Sequence, residues 1–337
     1  MDRRRFIIAF VAPLAWASSA AATLARPPDA RRVTVALAGD VLFDRGVRDA
    51  IAANGVDALL DGVAPILSAA DLAVVNLECP LSRRGLRAAK PFSFRGDPTY
   101  AQALARAGVD AVSLANNHSL DYGRGALTDT VDAVRKAGMA PLGAGATRGE
   151  AMRPVVLEAN GLRVAFVAYC DLFVEGTTPR EDAPGIATGD RAALLAAVRG
   201  ARANADVVVV FMHWGVEYRT RPTDDQRTLA RELLAAGADA VVGAHPHVIQ
   251  PLERVGAGVV AYSLGNFVFD QRNDGADAVV LRLTLSAAGV EAVDVVPIRI
   301  DACRPAPASG ADAERILRRL APSSTPGAPI PAGGLYP

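Results

Sequence analysis

The chain has 337 residues, with 36 Lys+Arg balanced by 36 Asp+Glu, four histidines and three cysteines. Balanced charge gives no electrostatic footing for nucleic-acid binding. Cys79, Cys170 and Cys303 are scattered with no CxxC pair, which excludes a disulfide scaffold and a cysteine-rich zinc site while leaving one disulfide plus one free thiol open.

Residues 1–25 read as a secretory signal peptide: Met1–Arg5 is basic, Phe6–Trp16 apolar, and Ala20-Ala21-Ala22 offers a small-residue cleavage site. The apolar run is too short to span a bilayer. Arg3 and Arg4, with Phe6 following, fit a twin-arginine leader, the alternative being an ordinary basic leader. Twin-arginine export carries folded cargo, so a periplasmic or secreted protein that can arrive with its metal loaded is expected. No cysteine lies near the cleavage site to carry a lipid anchor.

The remaining chain, roughly 310 residues, can bury one large α/β core or two smaller ones. Short apolar runs at Val33–Ala38, Leu72–Val75, Val109–Leu114, Val207–Met212 and Ala240–Val242 predict strands buried on both faces. Helical patterns at Val63–Ala70, Tyr100–Ala107, Ala126–Ala137, Arg191–Ala203 and Asp225–Ala236 separate them, as in βαβ units. Asn160-Gly161 predicts a hairpin turn between Val155–Glu158 and Arg163–Ala168. Val248–Val255, Val259–Ser263, Ala278–Leu285 and Val290–Ile300 alternate like antiparallel strands. The main domain is expected over residues 31–302. Residues 303–337 are expected to form a C-terminal helix, Ala311–Leu320, and a loosely attached Pro/Gly-rich tail.

Four strands open on a small residue and an aspartate: Ala70-Asp71, Val109-Asp110, Ala205-Asp206 and Ala238-Asp239. Seven residues after the first three aspartates come Glu78, Asn117 and His213; six and eight after the fourth come His245 and His247. At about 3.3 Å per residue, equal offsets bring these side chains to one height, the carboxyl edge of the sheet where α/β folds bind ligands. Asp40 reaches the same edge from the first strand. All four histidines of the chain thus sit in short polar motifs.

The predicted ligands Asp40, Glu78, Asn117, His213, His245 and His247 mix imidazole, carboxylate and amide oxygen, a set that suits Mn, Fe or Zn better than Ca or Mg. Six donors exceed one tetrahedral shell. A bridging carboxylate, for which Glu78 is placed, would let them serve two divalent ions about 3.5–4 Å apart. His118, beside Asn117, is the candidate general acid, and Asp121 the carboxylate that holds its ring. Each residue alone has a structural reading: Asp40 and Asp44 as caps of a following helix, Glu78 as a loop residue, a lone histidine as a hydrogen-bonded strand end. The metal reading rests on the set. Arg45 and Arg95 are candidate anion-binding residues or surface ion-pair partners. Asn266 either lines the site or sits in a turn. Trp214 and Tyr218 read as loop anchors, with substrate stacking the lesser alternative.

These motifs resemble a family. Gly39-Asp40, Asn76-Leu77-Glu78-Cys79-Pro80-Leu81, Ala115 to Gly123 (ANNHSLDYG), His213 to Tyr218 (HWGVEY), Gly243 to Val248 (GAHPHV) and Tyr262 to Phe267 (YSLGNF) are similar, in order, to the CapA (poly-γ-glutamate capsule synthesis) family of the calcineurin-like metallophosphatase superfamily. The resemblance implies an α/β four-layer sandwich, two mixed β-sheets face to face with helices outside. It implies Asp40 and His247 on one metal, Glu78 bridging, and Asn117, His213 and His245 on the other, with His118 in the acid-like position. It further implies a role in capsule or poly-γ-glutamate biosynthesis, as a hydrolase of a phosphoester or γ-glutamyl amide using metal-bound hydroxide. The alternative is a non-catalytic, metal-dependent factor that holds an anionic envelope polymer, within a membrane-bound capsule synthesis complex. Two positions depart from the superfamily pattern: Leu42 stands where a ligand histidine is usual, and Ser119 where Asp or Glu follows the acid-like histidine.

Overall fold

A computed structural model describes residues 31–172 and 181–321; the predicted leader and residues 322–337 lie outside them. Two mixed sheets carry the fold. The first runs Arg304–Pro307, Gly289–Asp301, Asp277–Ser286, Val33–Val41, Leu72–Leu77, Ala111–Ser113, Ala140–Leu142, with Asn266–Val268 added beside Val33–Val41. The second runs Leu252–Val255, Gly258–Ala261, Ala240–Ala244, Val207–His213, Leu162–Cys170, Val155–Ala159. Their central pairings are parallel and their outer ones largely antiparallel.

The sheets share one hydrophobic core, and the strands Val33–Val41 and Ala240–Ala244 touch across it. Helices Ala64–Ser68 and Gly123–Lys136 cover the first sheet, while Arg191–Asn204 and Asp224–Ala235 cover the second. This is the expected four-layer order. Every residue of Leu72–Leu77, Val207–His213 and Ala240–Ala244 is buried, as the unbroken apolar runs predict for strands covered on both faces.

The aspartates that open the strands have a physical role at the far end of the sheets. The carboxylate of Asp71 accepts from the backbone N–H of Thr34 at 2.7 Å, and those of Asp110, Asp206 and Asp239 from Ala73, Arg163 and Val208 at 2.8 Å each. The backbone N–H groups of Asp110, Asp206 and Asp239 donate in turn to the carbonyls of Ala73, Arg163 and Val208. Each aspartate therefore locks its strand in register with the neighbouring one, two in each sheet. A shared register at one edge, carried through strands of similar length, brings the motif residues level at the other.

Several elements differ from expectation. The strand expected over Val248–Val255 is continuous only as Leu252–Val255, with an isolated bridge from Ile249 to Leu264 before it, since Pro251 offers no N–H to a ladder. Ala140–Leu142 and Arg304–Pro307 were not anticipated; each contains proline and lies at a sheet edge, where a missing donor is tolerated. Beyond residue 302 the chain continues the first sheet through Arg304–Pro307. The helix Gly310–Arg319 then docks with Ile316 fully buried, and Arg315 pairs with the buried Asp277 at 2.8 Å. All three cysteines are free thiols, Cys79 and Cys170 buried. Among the described residues no helix is long and apolar enough to cross a membrane.

Candidate metal centre

The six predicted ligands converge at the carboxyl edges of the two sheets. Asp40 lies in Val33–Val41 at an irregularity that Gly39 permits: a Cβ there would meet the Gly265 carbonyl oxygen at 1.8 Å. Glu78 follows Leu72–Leu77, and His213 ends Val207–His213. His245 and His247 leave the strand Ala240–Ala244 with φ of +95° and +59°, conformations that cost a non-glycine residue about 1–3 kcal/mol each. Local propensity does not favour that loop; the packing around it does. The buried Trp214 donates its indole N–H to the Tyr262 carbonyl at 2.9 Å, and a Cβ on Gly243 would strike both groups. Trp214 is thus an anchor.

Two sets of donors result, Asp40–Glu78–His247 and Glu78–His213–His245, each with ligand atoms within 4.8 Å of one another and sharing Glu78. His213 Nε2 and His247 Nε2 lie 3.6 and 3.7 Å from Glu78 Oε1, and Asn117 Oδ1 is 2.8 Å from His213 Nε2. Glu78 is fully buried, yet neither carboxylate oxygen has a hydrogen-bond partner; the same holds for the buried His245 Nδ1. Burying a carboxylate unpartnered is among the costliest arrangements a fold can hold. A divalent cation on either side of Glu78 removes the cost, so these residues fit one or two such ions with mixed nitrogen and oxygen ligands.

The electrostatics agree. Burial, then the charge of Asp40, pushes Glu78 well above the carboxylate range. Burial acts against charge on His247, but Glu78, Asp40 and Asn266 prevail and raise it to about 10. His245 falls to about 3 through burial and then His247, and His213 also falls far below its usual value, chiefly by burial. The Glu78–His247 pair thus holds a proton where a cation would sit, and that proton must leave as ions bind. Titrating Mn²⁺ or Zn²⁺ into chelator-treated protein should therefore release protons, seen as heats that vary with buffer ionisation enthalpy, with affinity rising between about pH 6 and 8. Buffer-independent heats would contradict this.

His118 stands where the acid was expected. Its Nδ1 is 2.8 Å from Asp121 Oδ2, whose partner oxygen pairs with Lys90 at 2.5 Å; Asp121 Oδ2 also accepts the Phe94 N–H at 2.6 Å. The Phe94 ring covers the imidazole at 4.3 Å between centroids. Burial lowers the His118 pKa, and Asp121 opposes that shift. Ser119 is a scaffold residue, its hydroxyl donating to the Leu114 carbonyl at 2.5 Å and lying 3.0 Å from Asn116 Oδ1. Asp121 supplies the carboxylate that Ser119 lacks. Leu42 is fully buried in the core and offers no donor.

The remaining candidates sort by what they touch. Asn266 is fully buried; its Oδ1 lies 2.9 Å from His247 Nδ1, and its amide donates to the carbonyls of His247 and Gly275 and to Gln271. It holds the ring of the predicted ligand His247 in place, its oxygen and nitrogen both engaged within the protein. Arg45 pairs with Asp270 at 2.7 Å and covers the rings of Phe94 and Phe269, which in turn contact His118 and His247. The Arg95 guanidinium has no carboxylate partner among the described residues. It stacks on Tyr122 at 4.1 Å and lines a cavity of about 330 Å³ with Arg48, Arg83 and Tyr100. Asp44 does not cap a helix with its side chain: it accepts the backbone N–H groups of Arg45 and Arg95, tying their loops together. Tyr218 lies on the loop after His213, its ring 6.2 Å from that of His247.

Sequence reasoning overlooked Asn76 and Asn116. Asn76 donates to Asp40 Oδ1 at 2.8 Å and lies 3.3 Å from His213 Nδ1, linking predicted ligands from both sheets; Asn116 donates to Asn76 Oδ1 and to the Leu77 carbonyl. The available signal was an asparagine inside an apolar strand, two residues before Glu78 and so on the same face.

Residues 34–271 match the family described as bacterial capsule synthesis protein PGA_cap. The capsule biosynthesis protein CapA of Bacillus anthracis is 34% identical over 307 residues, 88% of this chain and 75% of that protein. The PGA biosynthesis protein CapA of Bacillus subtilis (strain 168) is 32% identical over 279 residues, 82% and 73% of the two chains. Among solved structures, the 5'-nucleotidase precursor from Thermus thermophilus superposes with a TM-score of 0.51 at 14% identity, covering 86% of this chain and 57% of that one. At that identity the likeness concerns the fold, which is the calcineurin-like metallophosphatase one.

Proposed function

The chain belongs to the bacterial capsule synthesis PGA_cap family, and from that premise we propose that it is an exported, metal-dependent hydrolase acting on an anionic envelope polymer, poly-γ-glutamate first among the substrates. Two relatives are named for capsule and PGA biosynthesis, which supports the polymer. The observation that carries the chemistry is Glu78, fully buried among His213, His247 and Asp40 with both oxygens unpartnered. Divalent Mn, Fe or Zn held there would supply Lewis acidity and a water acidic enough to ionise near neutrality.

The protein's own groups do the rest. Asn76 holds Asp40, Asn266 holds His247, and Asn117 faces His213, so the donors are set before any ion arrives. His118 keeps its Nδ1 against Asp121, itself fixed by Lys90, and leaves Nε2 to protonate the departing oxygen or nitrogen. The Arg95 guanidinium, stacked on Tyr122 in a cavity that it lines with Arg48 and Arg83, is suited to a substrate carboxylate or phosphate. The substrate bond is a γ-glutamyl amide or a phosphoester.

One observation favours a second reading. Leu42 gives no donor, so the set around Asp40 and His247 has three side chains. A weakly held ion there suits a factor that binds a polyanion without cutting it. Elemental analysis of the mature protein tests the premise of both readings. One or two equivalents of Mn, Fe or Zn are expected, lost in a His245→Ala/His247→Ala double variant. A wild-type protein that takes up no ion after loading with each metal would end the metal-centre reading.

A further inference from the structure

The loop after His213 carries a carboxylate outside the ligand set described above. Glu217 is exposed and has no hydrogen-bond or ion-pair partner among the described residues. The backbone on both sides of it is nevertheless fixed. Gly215, at φ +88°, packs where a Cβ would meet the Gln226 amide group at 2.7 Å. Tyr218, at φ +61°, donates its N–H to the Pro246 carbonyl at 2.8 Å, and its hydroxyl accepts from Gln271 at 3.1 Å. Gln250 donates to the Arg219 carbonyl at 2.8 Å. The loop is thereby tied to the His245-Pro246-His247 segment.

In that position one Glu217 oxygen, one ring nitrogen of His245 and one of His247 lie within 4.8 Å of one another, close enough for a single ion to draw together. His245 Nδ1 is buried, on a residue only 6% exposed, and has no hydrogen-bond partner among the described residues. The donors around Asp40 number three, because Leu42 contributes none. We propose that Glu217 is an additional metal ligand, a solvent-side carboxylate that completes the shell of the ion held at His247. The inference rests on the metal-centre reading. It makes Glu217 the one ligand exposed to solvent, while the five other carboxylate and imidazole donors are buried.

The test is calorimetric titration of Mn²⁺ into chelator-treated mature protein, with Mn²⁺ electron paramagnetic resonance as a second readout. Wild type, Glu217→Gln and, as a control on an exposed helix surface, Glu232→Gln are compared. Glu217→Gln should weaken one ion at least about tenfold and change its resonance signal, leaving Glu232→Gln like wild type. The exposed position of Glu217 makes loss of fold by the variant unexpected, and circular dichroism checks it. A Glu217→Gln variant that binds as a metal-binding wild type does overturns the assignment of Glu217 alone. A wild type that binds no Mn²⁺, Fe²⁺ or Zn²⁺ overturns the metal centre, and this inference with it.

Discussion

Glu78→Gln is expected to abolish binding of both ions, with a loss greater than the roughly 10- to 100-fold that follows removal of an outer-shell partner. The residue is shared by both donor sets, and an amide offers one neutral oxygen where two charged ones stood. The effect on stability should run the other way. Burial and Asp40 raise the Glu78 pKa, so in the absence of metal its ionised form destabilises the fold, increasingly as pH rises above the unfolded-state value near 4.5. Glutamine removes that penalty and keeps the volume. Metal-stripped Glu78→Gln should therefore melt at or above metal-stripped wild type near neutral pH. Added Mn²⁺ should stabilise wild type by about 2.7 kcal/mol at a hundred times its Kd and leave the variant unmoved. Thermal melts of both proteins with and without metal measure this. A variant stabilised by Mn²⁺ as much as wild type would remove Glu78 from the centre.

The contrast explains which parts of the site could be read from the chain. Glu78, Asn117, His213, His245 and His247 were legible because strand geometry is periodic: similar offsets from the register-locking aspartates Asp71, Asp110, Asp206 and Asp239 place side chains at similar heights, and Asp40 because it ends the first apolar strand. His118 and Asp121 were legible because three residues of separation suffice for a local hydrogen bond. Asn76 linking Asp40 to His213 depends on pairing within one sheet and contact with the other, neither of which a single chain announces. The positive φ of His245 and His247 is imposed by the packing of Trp214, Tyr262 and Asn266. Glu217 lay inside a motif already quoted, yet only the loop's attachment through Tyr218 and Pro246 turns it towards the histidines. The two proline-bearing edge strands escaped notice because edge pairing tolerates residues that interior strands exclude.

His118→Ala is the substitution that separates cutting from holding. His118 belongs to neither donor set, and its ring is held by Asp121, itself paired with Lys90, and by the Phe94 ring. Metal content and polymer affinity should stay near wild type. Turnover of a γ-glutamyl polymer or phosphoester should fall by about 10²- to 10⁴-fold, the contribution of a positioned general acid. Asp121→Asn should lower turnover through the same imidazole, because an amide no longer stabilises a proton on the ring or fixes its tautomer. The loss should be smallest for substrates whose leaving group needs no proton, such as a nitrophenolate ester compared with an alkyl ester or amide. That dependence on leaving group is the signature of acid catalysis, and damage to the fold would not produce it. Equal losses on both substrate types would assign His118 to binding or structure. Full turnover without it would take it out of the mechanism. A wild type that binds the polymer saturably and releases no product, with its metals present, would mean that the same buried centre serves to hold an anionic chain, with the three-donor set beside Leu42 as its physical cause.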